Sequence, residues 1–495
     1  MDVILSVIFL AVAVAYLVFA LRKFDEAVFA LPLFFPTYLW RVEVFGIPFT
    51  LVEVLIYLLF VVFLGRMLVK FLRGHKGLME TVKKLPIFDG SKKCPCRYMW
   101  PVLLFVASAV LGVIIAKDRI LMMDGQTIFY GRKVALGIFK AWIVAPVLMF
   151  VLFHASVKKT SQILKLLNYF TVSALVLSLW GLVQVVTQSY TTPDARASGP
   201  FESANYLALY VAPAVLYVLV RVKEAIFPVS HLDKYSLWRI PFRRRKMPLE
   251  HPENFLFFFA FLILLLVLLF TKSYAAMMAV FCAAVFYFGL EYLEYYRSKE
   301  IRKFPWKIVV MALVFAAVVL MAIFMIDSAK LQAVFQFGMR NSSSVRLQVY
   351  TIAIQLLKEN WFTGIGLGQF PALYQTEAVR ILGHAPYEWN MLHPHNLYLT
   401  MWLYLGLPGF AAFLWIIYLT VAQCWGNIRT FAFSKISEVP KIRILGLALL
   451  LIILIHGCLD TPYFKNDLAL IFWLVVSVVA LADDKDEKGE KAVAR

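Results

Sequence analysis

Apolar runs long enough to cross a bilayer constrain this chain more than anything else in it. They lie near residues 3–21, 49–65, 100–116, 134–154, 168–188, 204–220, 254–270, 275–292, 308–326, 397–421, 444–460 and 468–482. Crossing the hydrocarbon core takes about 20 helical residues, and lipid tolerates only helices and closed barrels because every backbone polar group needs an internal partner. Twelve such runs in 495 residues leave no room for a large soluble domain. The composition agrees: 16% of residues are charged and the mean hydropathy is +0.78, whereas soluble domains carry about 25% charged residues. The expected fold class is an all-α polytopic integral membrane protein of twelve transmembrane helices. A thirteenth is added if the apolar segment 27–40, interrupted by Pro32 and Pro36, spans rather than lying in the interface.

Charge sets the expected orientation. Of the 49 Lys and Arg residues, 29 fall in the alternate loops 66–99, 155–167, 221–253, 293–307 and 422–443, so those loops are expected in the cytoplasm. Because the net charge of +19 resides in such loops and in no aromatic-laced basic stripe, a nucleic-acid partner is not expected. The first 21 residues lack a basic n-region and are long enough to span, so they read as an anchor and not as a cleaved signal peptide. Cys94-Pro-Cys96 lies in a cytoplasmic loop, where a reducing compartment argues against a disulfide. A lone Cys-x-Cys is also a weak zinc site. On the opposite side, loop 327–396 is long, aromatic and helix-patterned from Ser344 to Leu357, which points to a folded functional loop. The charged tail 484–495 is expected to be disordered.

Three outward segments gather side chains suited to an anionic substrate. Arg196-Ala-Ser-Gly-Pro-Phe-Glu-Ser-Ala-Asn205 puts an arginine beside a turn and a helix N-terminus that Ser203 or Asn205 can cap. The ordinary alternative is a solvated loop arginine with a plain cap. Asn341-Ser-Ser-Ser-Val-Arg346 places a cation in a first helical turn, where the dipole opposes it and a bound anion would relieve the conflict. A tolerated surface arginine explains it equally well. The following Gly364-Ile-Gly366-Leu-Gly368 has the letters of a nucleotide fingerprint but no preceding strand, so it reads as a glycine-rich helix exit. His393-Pro-His395-Asn396 precedes a span. Its imidazoles suit general-base work or an interfacial position. Zinc needs three or four ligands, and with only His384 and Glu388 near in sequence, no metal is expected.

Three further positions are noted. Lys140 falls inside a span, to snorkel or to supply the site with a cation. Lys272 sits in the tight hairpin Thr271-Lys-Ser-Tyr274, and Asp460 closes a span as a helix terminator.

Taken in order, these segments resemble the O-antigen ligase and Wzy-type polymerase superfamily of bacterial surface polysaccharide synthesis. The resemblance rests on the Arg196 to Asn205 stretch opening a span, the arginine-led helix from Arg346 to Gly368, and the stretch from His393 to Asn396, and it covers roughly residues 170–480. Members often carry an arginine where Tyr274 stands here, which leaves Lys272 as the cation of that hairpin. The resemblance implies a GT-C-like fold, the plasma (inner) membrane and an extracytoplasmic active site without cofactor or metal. The donor would be a lipid-linked oligosaccharide on undecaprenyl diphosphate, and the acceptor another glycan, lipid A core of lipopolysaccharide, or a protein. A chain-length regulator would be a partner beside the membrane lipids. In that reading His395, with His393 nearby, takes the acceptor proton. Arg196 and Arg346, with Lys272, Lys140, Asn205 and Asn396, hold diphosphate or glycan. The segment Asp460 to Asp467 looks more like polymerases than ligases. The expected organisation is transmembrane helices over 1–167, a catalytic membrane region over 168–483 including loop 327–396, and the tail. A glycolipid flippase or other polysaccharide transporter is the competing class; it calls for ionisable residues at mid-membrane, where Lys140 stands nearly alone.

Overall fold

In a computed structural model the chain is described for residues 3–44, 46–73, 97–123, 126–192, 194–226, 252–298, 342–430 and 438–482. The described residues form α1 Val3–Arg22, α2 Phe24–Ala30 continued by a 3₁₀ helix Leu31–Leu39, β1 Arg41–Val44, β2 Ile47–Thr50, α3 Leu51–Leu72 and α4 Met99–Ile114. Then come β3 Arg119–Met123, β4 Gln126–Tyr130, α5 Arg132–Ser156 with a π turn at Phe139–Val144, α6 Thr160–Thr187, α7 Ala204–Ile226, α8 Pro252–Phe270 and α9 Tyr274–Ser298. The C-terminal part holds α10 Ser342–Glu359, α11 Phe370–Leu382, α12 Leu397–Thr430, α13 Glu438–His456 and α14 Asn466–Leu481.

This is a helical multi-pass membrane protein. Among the described residues seven helices are long and apolar enough to cross a bilayer, and α4, α8 and α14 include shorter apolar helices. Eleven of the twelve expected spans coincide with helices, while the expected span 308–326, the Cys94-Pro-Cys96 loop and the tail lie outside the described residues. Two antiparallel hairpins, β1–β2 and β3–β4, correct the expectation of a purely α chain. In the second, Met123 stands opposite Gln126, and the dipeptide Asp124-Gly125 that lies between them in sequence is a favoured hairpin signal.

Segment 27–40 runs the length of the bundle. At one end Glu26 pairs with Lys165 near the start of α6, and Lys158 lies 3.9 Å from Asp25. At the other, Tyr38 stacks on Phe201 beyond the end of α6 with ring centroids 6.2 Å apart. Seven α-helical residues rise about 10 Å and nine 3₁₀ residues about 18 Å, close to the ~30 Å hydrocarbon core. The tighter 3₁₀ winding, with Pro32 and Pro36 inside it, lets sixteen residues cover that distance. The segment packs against α3 and α6 with Leu31 and Phe35 fully buried, so it is an interior element and not an interfacial one.

At the centre stands α14, in which every residue from Asp467 to Val479 is buried. An all-round apolar helix belongs inside a bundle, and α14 packs on α5, α12, α13 and the 3₁₀ helix. The loop 457–465 hangs from its N-terminal end and is pinned there by Tyr463, whose hydroxyl donates to the Trp142 carbonyl (2.9 Å) and accepts from Trp473 Nε1 (3.1 Å).

The glycine-rich stretch after α10 ties that helix to the spans. Ile365 N–H donates to the Leu403 carbonyl (2.7 Å), Leu367 N–H to that of Gly112 (3.1 Å) and Leu407 N–H to that of Phe362 (2.9 Å). Gly364 has φ +72°, and a Cβ there would lie 2.4 Å from the Leu403 oxygen, whereas Gly383 has φ +75° with nothing within 4 Å. Gly364→Ala is therefore expected to cost about 2–4 kcal/mol, left-handed strain plus overpacking, and Gly383→Ala only the strain. The thermal unfolding midpoints of the two variants in detergent, compared with wild type, check this; equal losses would mean the close approach is not rigid.

Candidate active site

The segments singled out in the sequence meet at the end of the bundle where α7, α12 and α14 begin and α13 ends. Ser203 Oγ accepts from Asn205 N–H (3.2 Å) and so caps α7, which leaves the Asn205 side chain free to reach outward from the first turn. Its Oδ1 accepts from Arg196 Nη1 (3.3 Å) and its Nδ2 donates to Asp460 Oδ2 (3.4 Å). Asp460 Oδ1 in turn lies 3.6 Å from His395 Nδ1. A polar chain thus runs Arg196, Asn205, Asp460, His395, drawing on three separate parts of the sequence.

Arg196 is also paired with Asp194 and donates to the Thr271 carbonyl at 3.5 Å. That contact, together with Ala197 N–H on the Phe270 carbonyl (3.1 Å), docks the Arg196 loop on the α8–α9 hairpin that holds Lys272. Arg346 approaches on α10. One turn on from it, Tyr350 donates its hydroxyl to the His395 carbonyl (3.0 Å) and the Cys458 carbonyl (3.2 Å). Arg346 has no hydrogen-bond or ion-pair partner among the described residues. Because α10 begins at Ser342, Arg346 sits just past the first turn, so the expected conflict with the helix dipole is weak and does not explain its position.

Asn396 Oδ1 caps α12 by accepting from Tyr398 and Leu399 N–H (both 3.0 Å), and its Nδ2 donates to the Cys458 carbonyl (3.0 Å). This joins the histidine turn to the loop after α13. His393 Nε2 meets the Tyr206 hydroxyl at 3.1 Å, and the rings of His393 and His395 lie 4.5 Å apart. Burial, with His395 beside it, pushes the His393 imidazole down to about 3, so this ring is neutral. Burial alone would raise the Asp460 carboxyl; His395, His393 and His456 around it outweigh burial and hold it below the ordinary carboxylate range. Asp460 is therefore a buried carboxylate facing His395.

His395 Nδ1 is buried, and the side chain is 28% exposed, so the accessible part of the ring is the Nε2 edge. The residue holds a left-handed φ of +50°. Among the described residues four non-glycine positions do so, and Ala195, Lys272 and His395 all belong to this cluster. Each costs about 1–2 kcal/mol, and such strain concentrates where surrounding structure enforces a working geometry.

Lys140 is placed elsewhere. Its Nζ lies 2.7 Å from Glu53 Oε2, with both side chains largely buried, and Glu53 caps α3 through Thr50 N–H (2.9 Å). The charge is neutralised inside the bundle, so Lys140 neither snorkels nor joins the cluster. The sequence reading missed the roles of Asp460, Tyr206, Tyr350 and Lys465. Lys465 Nζ stands over the rings of Tyr206 (3.7 Å), Phe201 (4.4 Å) and Tyr38 (5.1 Å), and burial pushes its ammonium down to about 8 against the opposing pull of Asp467. The available signal was the density of ionisable groups in Asp460-Thr-Pro-Tyr-Phe-Lys-Asn-Asp467, far more than helix termination requires.

Residues 259–414 match the family model Wzy_C, described as O-antigen ligase. That stretch is similar to the O-antigen ligase family. No curated protein matches the chain. The matched stretch includes Lys272, Arg346, His393, His395 and Asn396. Arg196 and Asn205 precede it and Asp460 follows it, so the cluster is completed by α7 and the α13–α14 loop, which pack against the matched helices.

Proposed function

We propose that this protein is a membrane glycosyltransferase that moves glycan from undecaprenyl diphosphate on the extracytoplasmic face of the bacterial plasma membrane, and that it polymerises that glycan. One observation carries the reading: the buried Asp460 behind His395 Nδ1, 3.6 Å away, with two arginines brought to the same turn, at the end of the bundle opposite the basic loops. A carboxylate behind one imidazole nitrogen fixes the tautomer and stabilises the imidazolium as the other nitrogen takes a proton. The catalytic region is residues 168–483, with the helices of 1–167 packed around it.

In this mechanism the acceptor hydroxyl oxygen attacks the anomeric carbon of the donor and its proton passes to His395 Nε2. The bond from the anomeric carbon to the phosphate oxygen breaks, with inversion at that carbon. Undecaprenyl diphosphate leaves with the bonding electron pair, and the negative charge that develops on it falls to Arg196, Arg346 and Lys272. Asn205 and Asn396 hold the Arg196 loop and the histidine turn in register. Proton transfer through an imidazole and charge stabilisation by guanidinium groups suffice for this step without a metal. The orientation rests on the positive-inside rule, since α3, α5, α7, α9 and α12 lead from the cluster's end of the bundle into the five basic loops.

The test is purified protein in lipid with a single lipid-linked oligosaccharide. A ladder of products on a gel is the expected result. Transfer that appears only after lipid A core or a protein acceptor is added would replace polymerase by ligase or O-oligosaccharyltransferase. No transfer to any acceptor would overturn the reading in favour of a transporter.

A further inference from the structure

The histidine turn lacks a third metal ligand in the sequence, and the fold supplies one from sixty-odd residues away. His393, His395 and Asp460 each offer a ligand atom, and these atoms lie within 4.8 Å of one another. His384, the nearer candidate by sequence, is exposed and turns its Nδ1 to the Ala385 carbonyl (2.8 Å). We propose that His393, His395 and Asp460 bind a divalent transition metal ion, zinc by ligand type, and that its binding switches the transfer reaction off. The inhibitory half rests on the function proposed above; the binding half rests on the geometry alone.

Five features of the cluster fit an ion. Two imidazoles and a carboxylate are a common three-residue set for zinc with an open fourth position. Bonds of about 2.0–2.1 Å to a tetrahedral ion place its ligands about 3.3 Å apart, and His395 Nδ1 and Asp460 Oδ1 already stand 3.6 Å apart. At that separation the pair is in ion-pair contact without a closed hydrogen bond, and the nitrogen is buried, which leaves room between nitrogen and oxygen that an ion can take. The outer contacts are those that orient metal ligands. Tyr206 meets His393 Nε2 at 3.1 Å, and Asn205 and Thr461 N–H bond the two Asp460 oxygens at 3.4 and 2.8 Å. Pro394 between the histidines restricts the turn that presents both rings.

An ion on His395 Nδ1 and Asp460 takes both halves of the proton-accepting pair. The imidazole is then no longer backed by a free carboxylate, and a neutral ring bound through Nδ1 carries its own proton on Nε2, the nitrogen that would take the acceptor proton. Metal and acceptor proton therefore compete for one pair of groups, and the metal-free protein is the active form.

The experiment uses the full chain in detergent. Zinc binding is measured by competition with a chromophoric chelator, and Co²⁺ is added to wild-type protein to read its ligand-field absorption, which needs no variant. One zinc per chain is expected, with a tetrahedral or five-coordinate Co²⁺ spectrum and at least ten-fold weaker zinc binding in His393→Ala and in Asp460→Asn. Transfer from a lipid-linked oligosaccharide should fall at least ten-fold as the site fills and return when chelator is added. Absence of the Co²⁺ spectrum in wild-type protein, or equal zinc affinity in wild type and His393→Ala, overturns the site. Stoichiometric zinc binding that leaves transfer unchanged, or transfer that requires zinc, overturns the switch. If metal-free protein transfers nothing while zinc still binds, the glycosyltransferase reading fails and the metal site stands.

Discussion

Alanine at position 395 is expected to lower the single-turnover rate of glycosyl transfer by about 10²–10⁴-fold, with donor affinity changed only a few-fold. The imidazole alone presents an accessible nitrogen backed by a buried carboxylate, and removing it leaves the acceptor proton with no positioned base. Asp460→Asn should lose less, on the order of 10–100-fold, because the ring remains while the group that orients it no longer carries charge. His393→Ala should lose least, since His393 is held neutral and turned towards Tyr206. Rates measured with labelled lipid-linked oligosaccharide in proteoliposomes order the three variants. A His395→Ala protein that turns over like wild type would remove the base from the mechanism.

The second large effect is expected at Arg346. Arg346→Ala should reduce kcat by about 10²–10³-fold, the loss typical of removing one donor from a developing oxyanion. Arg346→Lys should recover little of it, because an ammonium cannot make the paired, planar contact that a guanidinium makes with phosphate oxygens. Arg196→Lys is the informative companion. Arg196 already contacts Asp194, Asn205 and Thr271, so its replacement disturbs a loop as well as a charge, and should raise KM for the donor along with the loss in kcat. Full activity in Arg346→Lys would mean that the position supplies charge without directed hydrogen bonds. An equal loss of KM and kcat effects in the two arginine variants would assign both to loop positioning.

Most helices were legible because a run of about 20 apolar residues has few other fates in this composition. Segment 27–40 was not. Its prolines and its length leave spanning and interfacial lying equally open, and its packing inside the bundle comes from contacts at its two ends, Glu26 with Lys165 and Tyr38 with Phe201. The hairpin β3–β4 was not legible for another reason: its strands are five residues each and show no polar–apolar alternation, so Asp124-Gly125 was the one local signal. At the site, Arg196, Arg346 and the two histidines stood out as cations and imidazoles beside helix starts on one side of the membrane. Lys140 stood out equally and was misread, because nothing in its neighbourhood reveals that Glu53, 87 residues earlier, approaches within ion-pair distance.

The sequence by itself determined the class of molecule and the residue types available for chemistry, since hydropathy and side-chain identity are local properties. Only the tertiary structure decided which of those groups work together. A buried carboxylate is set behind an imidazole by the packing of α7, α13 and α12 at one end of the bundle, and Asp460 faces His395 because the loop that carries it is fixed to the central helix α14. Partners of that kind are chosen by where helices cross, and a distance across a bundle leaves no mark on the spacing of residues along the chain.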